Sequence, residues 1–215
     1  MVIGMSHRTA PVEIREKLSF RSKQIVEVNR LLKESASLDE NLILSTCNRV
    51  EIYAVANHNK DHVKDIENFL SGFHSLDISD YKDRLYVYKD KAAIEHLLRV
   101  ASGLDSMVIG EMEILGQVKK AYQEARESRT TGKVLNRLFE NAFNTAKRVR
   151  TETFITRGAV SVSSVAVRLA RKILGSLKGK KVLIIGAGKV GEQLILYLKE
   201  EGIESIMINC NPVTV

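Results

Sequence analysis

The apolar positions of residues 1–90 follow two different periods along the chain. Alternating or short continuous apolar runs predict β-strands at residues 2–5, 42–44, 50–54 and 85–88. Apolar spacings of three and four predict two helices, a first with Ile25, Val28 and Leu32 inward and a second carrying Val63, Ile66, Phe69 and Leu70. Ser22 is the predicted N-cap of the first helix. This mixture predicts a small unit of helices and strands.

From Ala92 to Leu174 the apolar positions keep a helical period. One apolar stripe runs through Leu135, Leu138, Ala142, Ala146 and Val149. Residues 181–185 then read Lys-Val-Leu-Ile-Ile, which is typical of a buried strand, and lead directly into a glycine-rich turn. A helix with Leu194 and Leu198 and a second strand at 206–208 complete a β-α-β pattern. The predicted fold class is therefore α/β.

Composition places the chain among ordinary globular proteins, with 44% hydrophobic residues and only two prolines in 215 residues. The N-terminus lacks the layout of a signal peptide, and no apolar run is long enough to span a membrane. Two cysteines, Cys47 and Cys210, are too few for a disulfide framework and favour a reducing compartment. We therefore expect a cytoplasmic protein with no membrane contact.

The net charge of +7 is concentrated in one part of the chain. From Lys119 to Lys172 there are thirteen Lys and Arg against four Glu, a local balance of +9. Such a stretch attracts phosphate backbones by releasing counterions. A solvated helical face is the alternative, and charge alone does not decide between them.

The segment Ser45-Thr46-Cys47-Asn48-Arg49 lies between two predicted strands and is the first candidate for chemistry. Arg49 is two residues from the Cys47 thiol, and a nearby positive charge favours the reactive thiolate. Arg49 could instead pair with a substrate carboxylate, which its planar fork suits. An isolated cysteine is more often a buried, inert thiol, and on the residues alone this alternative stays open.

The second candidate is the turn Gly186-Ala187-Gly188-Lys189-Val190-Gly191, between a predicted strand and a predicted helix. In this context the glycines permit a tight turn and the close approach of a dinucleotide phosphate. A glycine-rich turn without function is the alternative. Asn209 stands where NAD-binding proteins carry an acidic residue, which favours NADP. Because one β-α-β unit is not a complete dinucleotide fold, we expect an incomplete cofactor site and exposed apolar surface over residues 181–215.

Two further sets of residues are candidates for chemistry. Ser106, Glu111 and Gln117 interrupt an apolar context and could line a polar pocket, with helix capping and turn formation as the alternative. His96 lies beside Leu97 and Leu98, where a packed histidine is the alternative to a catalyst. The histidines show no spacing with cysteine that indicates a metal site, so no metal is predicted.

Together, these segments resemble glutamyl-tRNA reductase, and the matching stretches are residues 4–16, 45–53, 99–117, 158–167 and 186–191. The resemblance implies that Cys47 attacks the ester of glutamyl-tRNA, and that NADPH reduces the resulting thioester to glutamate 1-semialdehyde, the first step of five-carbon tetrapyrrole (porphyrin) biosynthesis. It implies proton transfer by His96. It also implies that the glutamyl group is recognised by Thr46, Asn48, Arg49, Ser106, Glu111 and Gln117, with Arg49 facing its side-chain carboxylate.

The resemblance further implies a catalytic α+β domain with a helical segment at residues 1–155. A linker helix and the first β-α-β of a Rossmann-like NADPH-binding domain follow at 156–215. Family members are homodimers, and glutamate-1-semialdehyde aminomutase is an expected partner for product transfer. Because family members continue beyond the part matched here, and residues 209–212 lack the arginine expected for the NADPH 2′-phosphate, we expect acyl transfer or esterase action without efficient reduction.

Two other functions are compatible with the residues. A non-catalytic protein could hold glutamyl-tRNA without reacting, in which case Cys47→Ser would change nothing. A small-molecule NADP dehydrogenase would ignore tRNA and show little salt dependence in substrate affinity.

Overall fold

The computed structural model describes residues 1–56, 62–156, 161–186 and 188–209. The chain divides into two compact units, Met1–Ile155 and Thr156–Val215.

The first unit contains a four-stranded antiparallel sheet with the strand order β2-β3-β1-β4. Its strands are β1 (Val2–Ser6), β2 (Glu40–Ser45), β3 (Arg49–Val55) and β4 (Tyr86–Tyr88). Its helices are α1 (Val12–Lys17), α2 (Ile25–Ser35), α3 (His62–His74), α4 (Asp90–Ala101), α5 (Glu113–Glu127) and α6 (Lys133–Glu152). Two 3-10 helices, Ile78–Arg84 and Phe154–Thr156, complete the described elements.

The two faces of this sheet belong to two different hydrophobic cores, because neighbouring residues of a strand point to opposite faces. Val2, Leu42, Leu44 and Tyr53 are buried with residues of α4, α5 and α6. Ile3, Met5, Ile43 and Ile52 are buried with residues of α2 and α3. The sheet is thus covered on both sides.

The strands and helices predicted for the first unit are confirmed, α1 and the 3-10 helix Ile78–Arg84 were not predicted, and the cap predicted for α2 is wrong. Helix α2 begins at Ile25, its N-cap position is Gln24, and no side chain caps it. Ser22 instead accepts a hydrogen bond from Lys120 Nζ at 3.4 Å, because residues 22–24 form a turn before the helix. The inward residues Ile25, Val28 and Leu32 are buried as predicted.

The buried carboxylate of Glu40, at the start of β2, caps the N-terminus of α6. Its two oxygens accept hydrogen bonds from the backbone N–H groups of Val134 (3.0 Å) and Leu135 (2.7 Å). These N–H groups have no partner within the helix, and the helix dipole favours a negative charge there.

We expect Glu40→Ala to lower the free energy of unfolding by about 1–2 kcal/mol, because it removes this cap. Urea unfolding measures the loss, and Glu34→Ala, at an exposed position of α2, is the control. Equal stability of the two variants would show that the cap contributes nothing.

The second unit is built on a two-stranded parallel sheet of β5 (Lys181–Ile185) and β6 (Ser205–Asn209). Helix α7 (Val162–Leu174) precedes the sheet, and helix α8 (Lys189–Glu200) connects the two strands. The parallel β-α-β pattern and the α+β first unit confirm the predicted fold class.

The core of the second unit is small and consists of Val167, Leu177, Ile184 and Leu198 with partly buried neighbours. The predicted exposure of apolar surface is confirmed on its described residues, since the side chain of Ile185 is 76% exposed. Other exposed apolar residues of the β-α-β unit are Leu183, Val190, Leu196, Met207 and Ile208. In the described parts of the chain, no helix combines the length and apolar character needed to cross a membrane.

Candidate active site

The loop that carries Cys47 is the short connection between β2 and β3. Thr46 shapes it, because its Oγ1 accepts hydrogen bonds from the N–H groups of Asn48 (3.2 Å) and Arg49 (3.1 Å). From the end of β1, the N–H of His7 donates to the carbonyl of Asn48 at 2.8 Å. The Cys47 side chain is exposed, so the alternative of a buried thiol is wrong.

Arg49 begins β3 with its side chain inside the protein, only 1% exposed. Its Nη1 donates to Glu51 Oε1 at 2.7 Å. Its Nη2 donates to the carbonyl (2.6 Å) and the carboxylate (3.1 Å) of Asp105. Burial lowers the pKa of Arg49, but the Glu51 carboxylate outweighs it and raises the pKa above its ordinary value. The charge is therefore neutralised inside the protein, and Nε is the donor of this guanidinium that has no hydrogen-bond partner.

Glu51 is a fully buried carboxylate that the sequence analysis missed. Besides Arg49, it accepts hydrogen bonds from Tyr53 Oη (2.6 Å) and Tyr86 Oη (2.5 Å), and it contacts His96 Nε2 at 2.8 Å. Burial alone raises its pKa, but the bond to His96 and the charge of Arg49 outweigh burial and lower the pKa to about 2. Glu51 is therefore ionised at neutral pH. The signal for it was the period of two in β3, which puts Arg49, Glu51 and Tyr53 on one face.

His96 lies on α4, and its partner is Glu51, although Leu97 and Leu98 are its neighbours in sequence. An ionised carboxylate can only accept, so the proton of a neutral His96 ring resides on Nε2 and leaves Nδ1 as the basic nitrogen. The rings of Tyr86 and Tyr88 contact the imidazole, with centroids 5.2 and 5.0 Å away. His96 also lines an open cavity of about 360 Å³ together with Ser6, Arg8, Thr9, Tyr86, Tyr88, Ala92, Glu95, Arg99 and Asp105.

The remaining predicted glutamyl-binding residues do not gather in that cavity. Ser106 Oγ donates to Glu111 Oε1 at 3.1 Å, and the Glu111 carboxylate accepts from the N–H groups of Glu113 and Ile114 at the start of α5. Glu111 thus does what the capping alternative predicted. Gln117 and Thr46 line a smaller cavity of about 120 Å³ that His96 does not line.

Gly110 fixes the path of the loop between α4 and α5. Its φ is +81°, and a Cβ placed there would lie 2.3 Å from the carbonyl oxygen of Ile155. An L side chain is strained at this φ, and the clash is with backbone atoms that cannot move independently.

We expect Gly110→Ala to lower the free energy of unfolding by about 1–3 kcal/mol and to displace the loop that carries Asp105. Gly116→Ala is the matched control, because Gly116 lies inside α5 and an added Cβ has no neighbour within 4 Å. That change should stabilise the chain by about 0.5–1 kcal/mol. Equal effects of the two alanines in urea unfolding would contradict the predicted role of Gly110.

The glycine-rich turn has the shape that a dinucleotide phosphate needs. Gly186 has a φ of +102°, and a Cβ on Gly191 would lie 2.9 Å from the carbonyl oxygen of Gly186. Gly188 is the N-cap of α8 and brings no capping side chain to its free N–H groups, and Val190 lies in the first turn. Ala187 and the side chain of Lys189 lie outside the described residues. The glycines therefore fit a bound phosphate group.

Among the described residues, no group of three or more His, Cys, Asp or Glu side chains is placed to bind a metal ion. What the described residues do offer is an exposed thiol on a strand connection and a buried carboxylate bonded to a histidine. Together with the glycine-rich turn of the second unit, these are the features of an α/β protein with an accessible cysteine and a turn suited to a phosphate group.

Comparison with known proteins identifies the family. The family described as glutamyl-tRNAGlu reductase, N-terminal domain, matches residues 3–153, and the shikimate/quinate 5-dehydrogenase family matches residues 168–211. The chain belongs to the glutamyl-tRNA reductase family.

Curated relatives and a solved structure agree with this assignment. The glutamyl-tRNA reductases of Syntrophotalea carbinolica and Pelotomaculum thermopropionicum are each 49% identical, covering 97% of this chain and 47% of their own. The solved glutamyl-tRNA reductase of Methanopyrus kandleri is 39% identical, with a TM-score of 0.63, covering 96% of this chain and 48% of its own. The chain thus spans about half the length of the relatives it matches.

Proposed function

We propose that this chain takes the glutamyl group from glutamyl-tRNA onto Cys47 as a thioester, the first half of an NADPH-dependent glutamyl-tRNA reductase reaction. The observation that carries the proposal is the exposed Cys47 thiol on a connection whose backbone is fixed by Thr46 and His7. An exposed thiol on a fixed loop can meet an ester carbonyl without rearrangement of the core. Such a free thiol also suits a reducing compartment, which favours the cytoplasm.

In the proposed step, Sγ of Cys47 attacks the carbonyl carbon of the glutamyl ester. The new C–S bond forms as the C–O bond to the terminal ribose breaks. The thiol proton passes to Nδ1 of His96 and from there to the departing ribose oxygen, so the imidazole ends neutral. The ionised carboxylate of Glu51 supports this role, because it orients the ring through Nε2 and stabilises the transient imidazolium.

Arg49 has a structural part in this proposal and a recognition part. Its Nη atoms hold Glu51 and Asp105, and its Nε has no hydrogen-bond partner. Because Nε is buried, the residues around it would have to move before it could donate to a substrate carboxylate. We keep Thr46, Asn48, Ser106, Glu111 and Gln117 as proposed glutamyl-binding residues. Ser106 and Glu111 would first have to exchange their present hydrogen bond for bonds to the substrate.

The cofactor we propose is NADPH, held through its pyrophosphate by the turn Gly186–Gly191, with Ala187, Gly188, Lys189 and Val190 inside it. When bound, NADPH supplies the hydride that would convert the thioester to glutamate 1-semialdehyde, for tetrapyrrole biosynthesis. The free N–H groups at the start of α8 favour the negative phosphate. The exposed Asn209 at the end of β6 leaves no acidic side chain there to repel a 2′-phosphate.

Partners of the whole protein follow from the same proposal. The exposed basic residues Lys119, Lys120, Lys133, Arg137, Lys147 and Arg148 on α5 and α6 offer a surface for the tRNA backbone. A homodimer, and delivery of the aldehyde to glutamate-1-semialdehyde aminomutase, belong to the proposal as well.

A single-turnover reaction with tRNA carrying labelled glutamate tests this function. Native chain, Cys47→Ser and the cysteine control Cys210→Ser would each be mixed with it, with and without NADPH. We expect native chain and Cys210→Ser to release the label from tRNA and Cys47→Ser to release none. Equal release by Cys47→Ser would refute the covalent mechanism, and no release by any of the three would leave a protein that at most binds tRNA.

A further inference from the structure

Resting on the proposed function, we infer that Arg15 is the positioning residue that activates Cys47, a part that the sequence pattern had suggested for Arg49. Arg15 holds the backbone of the nucleophile and supplies the positive charge that favours its thiolate. It does not touch the substrate in this proposal.

The guanidinium of Arg15 joins two loops. Arg15 lies on the short helix α1 and is buried. Its Nη1 donates to the carbonyl of Ala10 at 2.6 Å, and its Nε donates to the carbonyl of Cys47 itself at 3.1 Å. One rigid, planar group thus ties the nucleophile's own peptide unit to the connection between β1 and α1.

The charge of Arg15 is not cancelled by a carboxylate. Among the described residues, no Asp or Glu lies within ion-pair distance of Arg15, and both of its hydrogen bonds go to neutral carbonyls. Arg49 differs, because Glu51 and Asp105 neutralise it. A cation in contact with the Cys47 peptide and without a counter-charge stabilises a thiolate on the same residue.

Other charged groups near this loop do not replace Arg15. Arg8 pairs with Asp105 at 3.3 Å, so those two charges largely offset each other. Burial, followed by the charge of Arg49, lowers the pKa of His7, with Arg15 among the smaller causes, so His7 is neutral at pH 7. Arg15 differs from these groups because it donates to the Cys47 peptide itself and has no carboxylate partner among the described residues.

The rate of alkylation of Cys47 by iodoacetamide, measured against pH, tests this inference. The background would be Cys210→Ser, so that only one thiol reacts. Arg15→Gln removes the positive charge, and Arg15→Lys keeps the charge but not the planar guanidinium. Lys17→Gln, at an exposed position on the same helix, is the control. Only the thiolate reacts, so the midpoint of the pH–rate curve reports the pKa of Cys47.

We expect Arg15→Gln to move that midpoint upward and to slow alkylation several-fold at a pH below it. Arg15→Lys should shift the midpoint less, because the positive charge is kept. It should speed hydrogen exchange of the amides of residues 46–48, because a lysine cannot donate to the carbonyls of Ala10 and Cys47 with one planar group. Lys17→Gln should match the parent. An unchanged midpoint in Arg15→Gln, or, if that variant fails to fold, unchanged exchange in Arg15→Lys, would overturn the inference.

This test is independent of tRNA. Suppose that the native chain releases glutamate through Cys47 but the alkylation midpoint is the same in the parent and in Arg15→Gln. This result would refute the inference and leave the proposed function intact. A midpoint that depends on Arg15, in a chain that never reacts with glutamyl-tRNA, would refute the function and leave the activation of the thiol established.

Discussion

Replacing Glu51 with glutamine should lower the free energy of unfolding by about 3 kcal/mol or more, because it leaves the guanidinium of Arg49 buried without its closest counter-charge. The Arg49–Glu51 pair is almost completely removed from water, with side chains 1% and 0% exposed. The amide also presents hydrogens where Tyr53, Tyr86, His96 and Arg49 all donate. Asp105 offsets only part of the loss, since it is shared with Arg8.

The pH dependence of the free energy of unfolding tests the role of Glu51 a second time. The pKa of Glu51 is about 2 in the folded chain and 4.5 ordinarily, so its contribution is complete above 4.5 and is lost as the pH falls towards 2. Native chain should therefore lose stability over that interval more steeply than Glu51→Gln. Urea unfolding from pH 7 to pH 2 measures both, with Glu13→Gln, an exposed position on α1, as the control. Parallel curves for native chain and Glu51→Gln would show that Glu51 does not carry this linkage.

Replacing His96 with glutamine should slow transfer of the glutamyl group to Cys47 by about 100-fold or more, because the proton acceptor is lost while the longer side-chain amide can still donate to Glu51 from near the position of Nε2. The fold should be kept for the same reason. Rapid-quench measurement of labelled glutamate leaving tRNA follows the rate. Lys91→Gln, exposed on the same helix, is the control. A rate for His96→Gln within a few fold of the native one would remove His96 from the mechanism.

Much of the fold could be predicted from the sequence because the spacing of apolar residues within each segment indicates a strand or a helix. The alternation in residues 2–5 and 50–54 sets which side chains of β1 and β3 enter each core. The stripe on α6 was also predicted, although Phe139, which is fully buried, was missed beside it. The predicted cap of α2 was wrong because residues 22–24 form a turn and the helix begins only at Ile25.

The hydrogen bonds and ion pairs of the candidate site could be predicted only in part, since they join residues that are far apart in the sequence. Cys47 stood out as a polar loop between strands. Nothing local showed that Glu51 would meet Tyr86 and His96, which lie 35 and 45 positions away. The sequence left open whether Arg49 activates the thiol or pairs with a substrate carboxylate. It could not show the contact with Asp105, 56 positions away, that accompanies its burial.

The covalent role of Cys47 is tested most directly by looking for the acyl-enzyme itself. Native chain would be mixed with glutamyl-tRNA in the absence of NADPH, quenched in acid within a single turnover, digested, and examined by mass spectrometry. We expect one glutamyl residue on the peptide that contains Cys47, removed by mild base or hydroxylamine, and no such adduct in Cys47→Ser. Release of glutamate from tRNA with no adduct on Cys47, or with the adduct on another residue, would refute the mechanism.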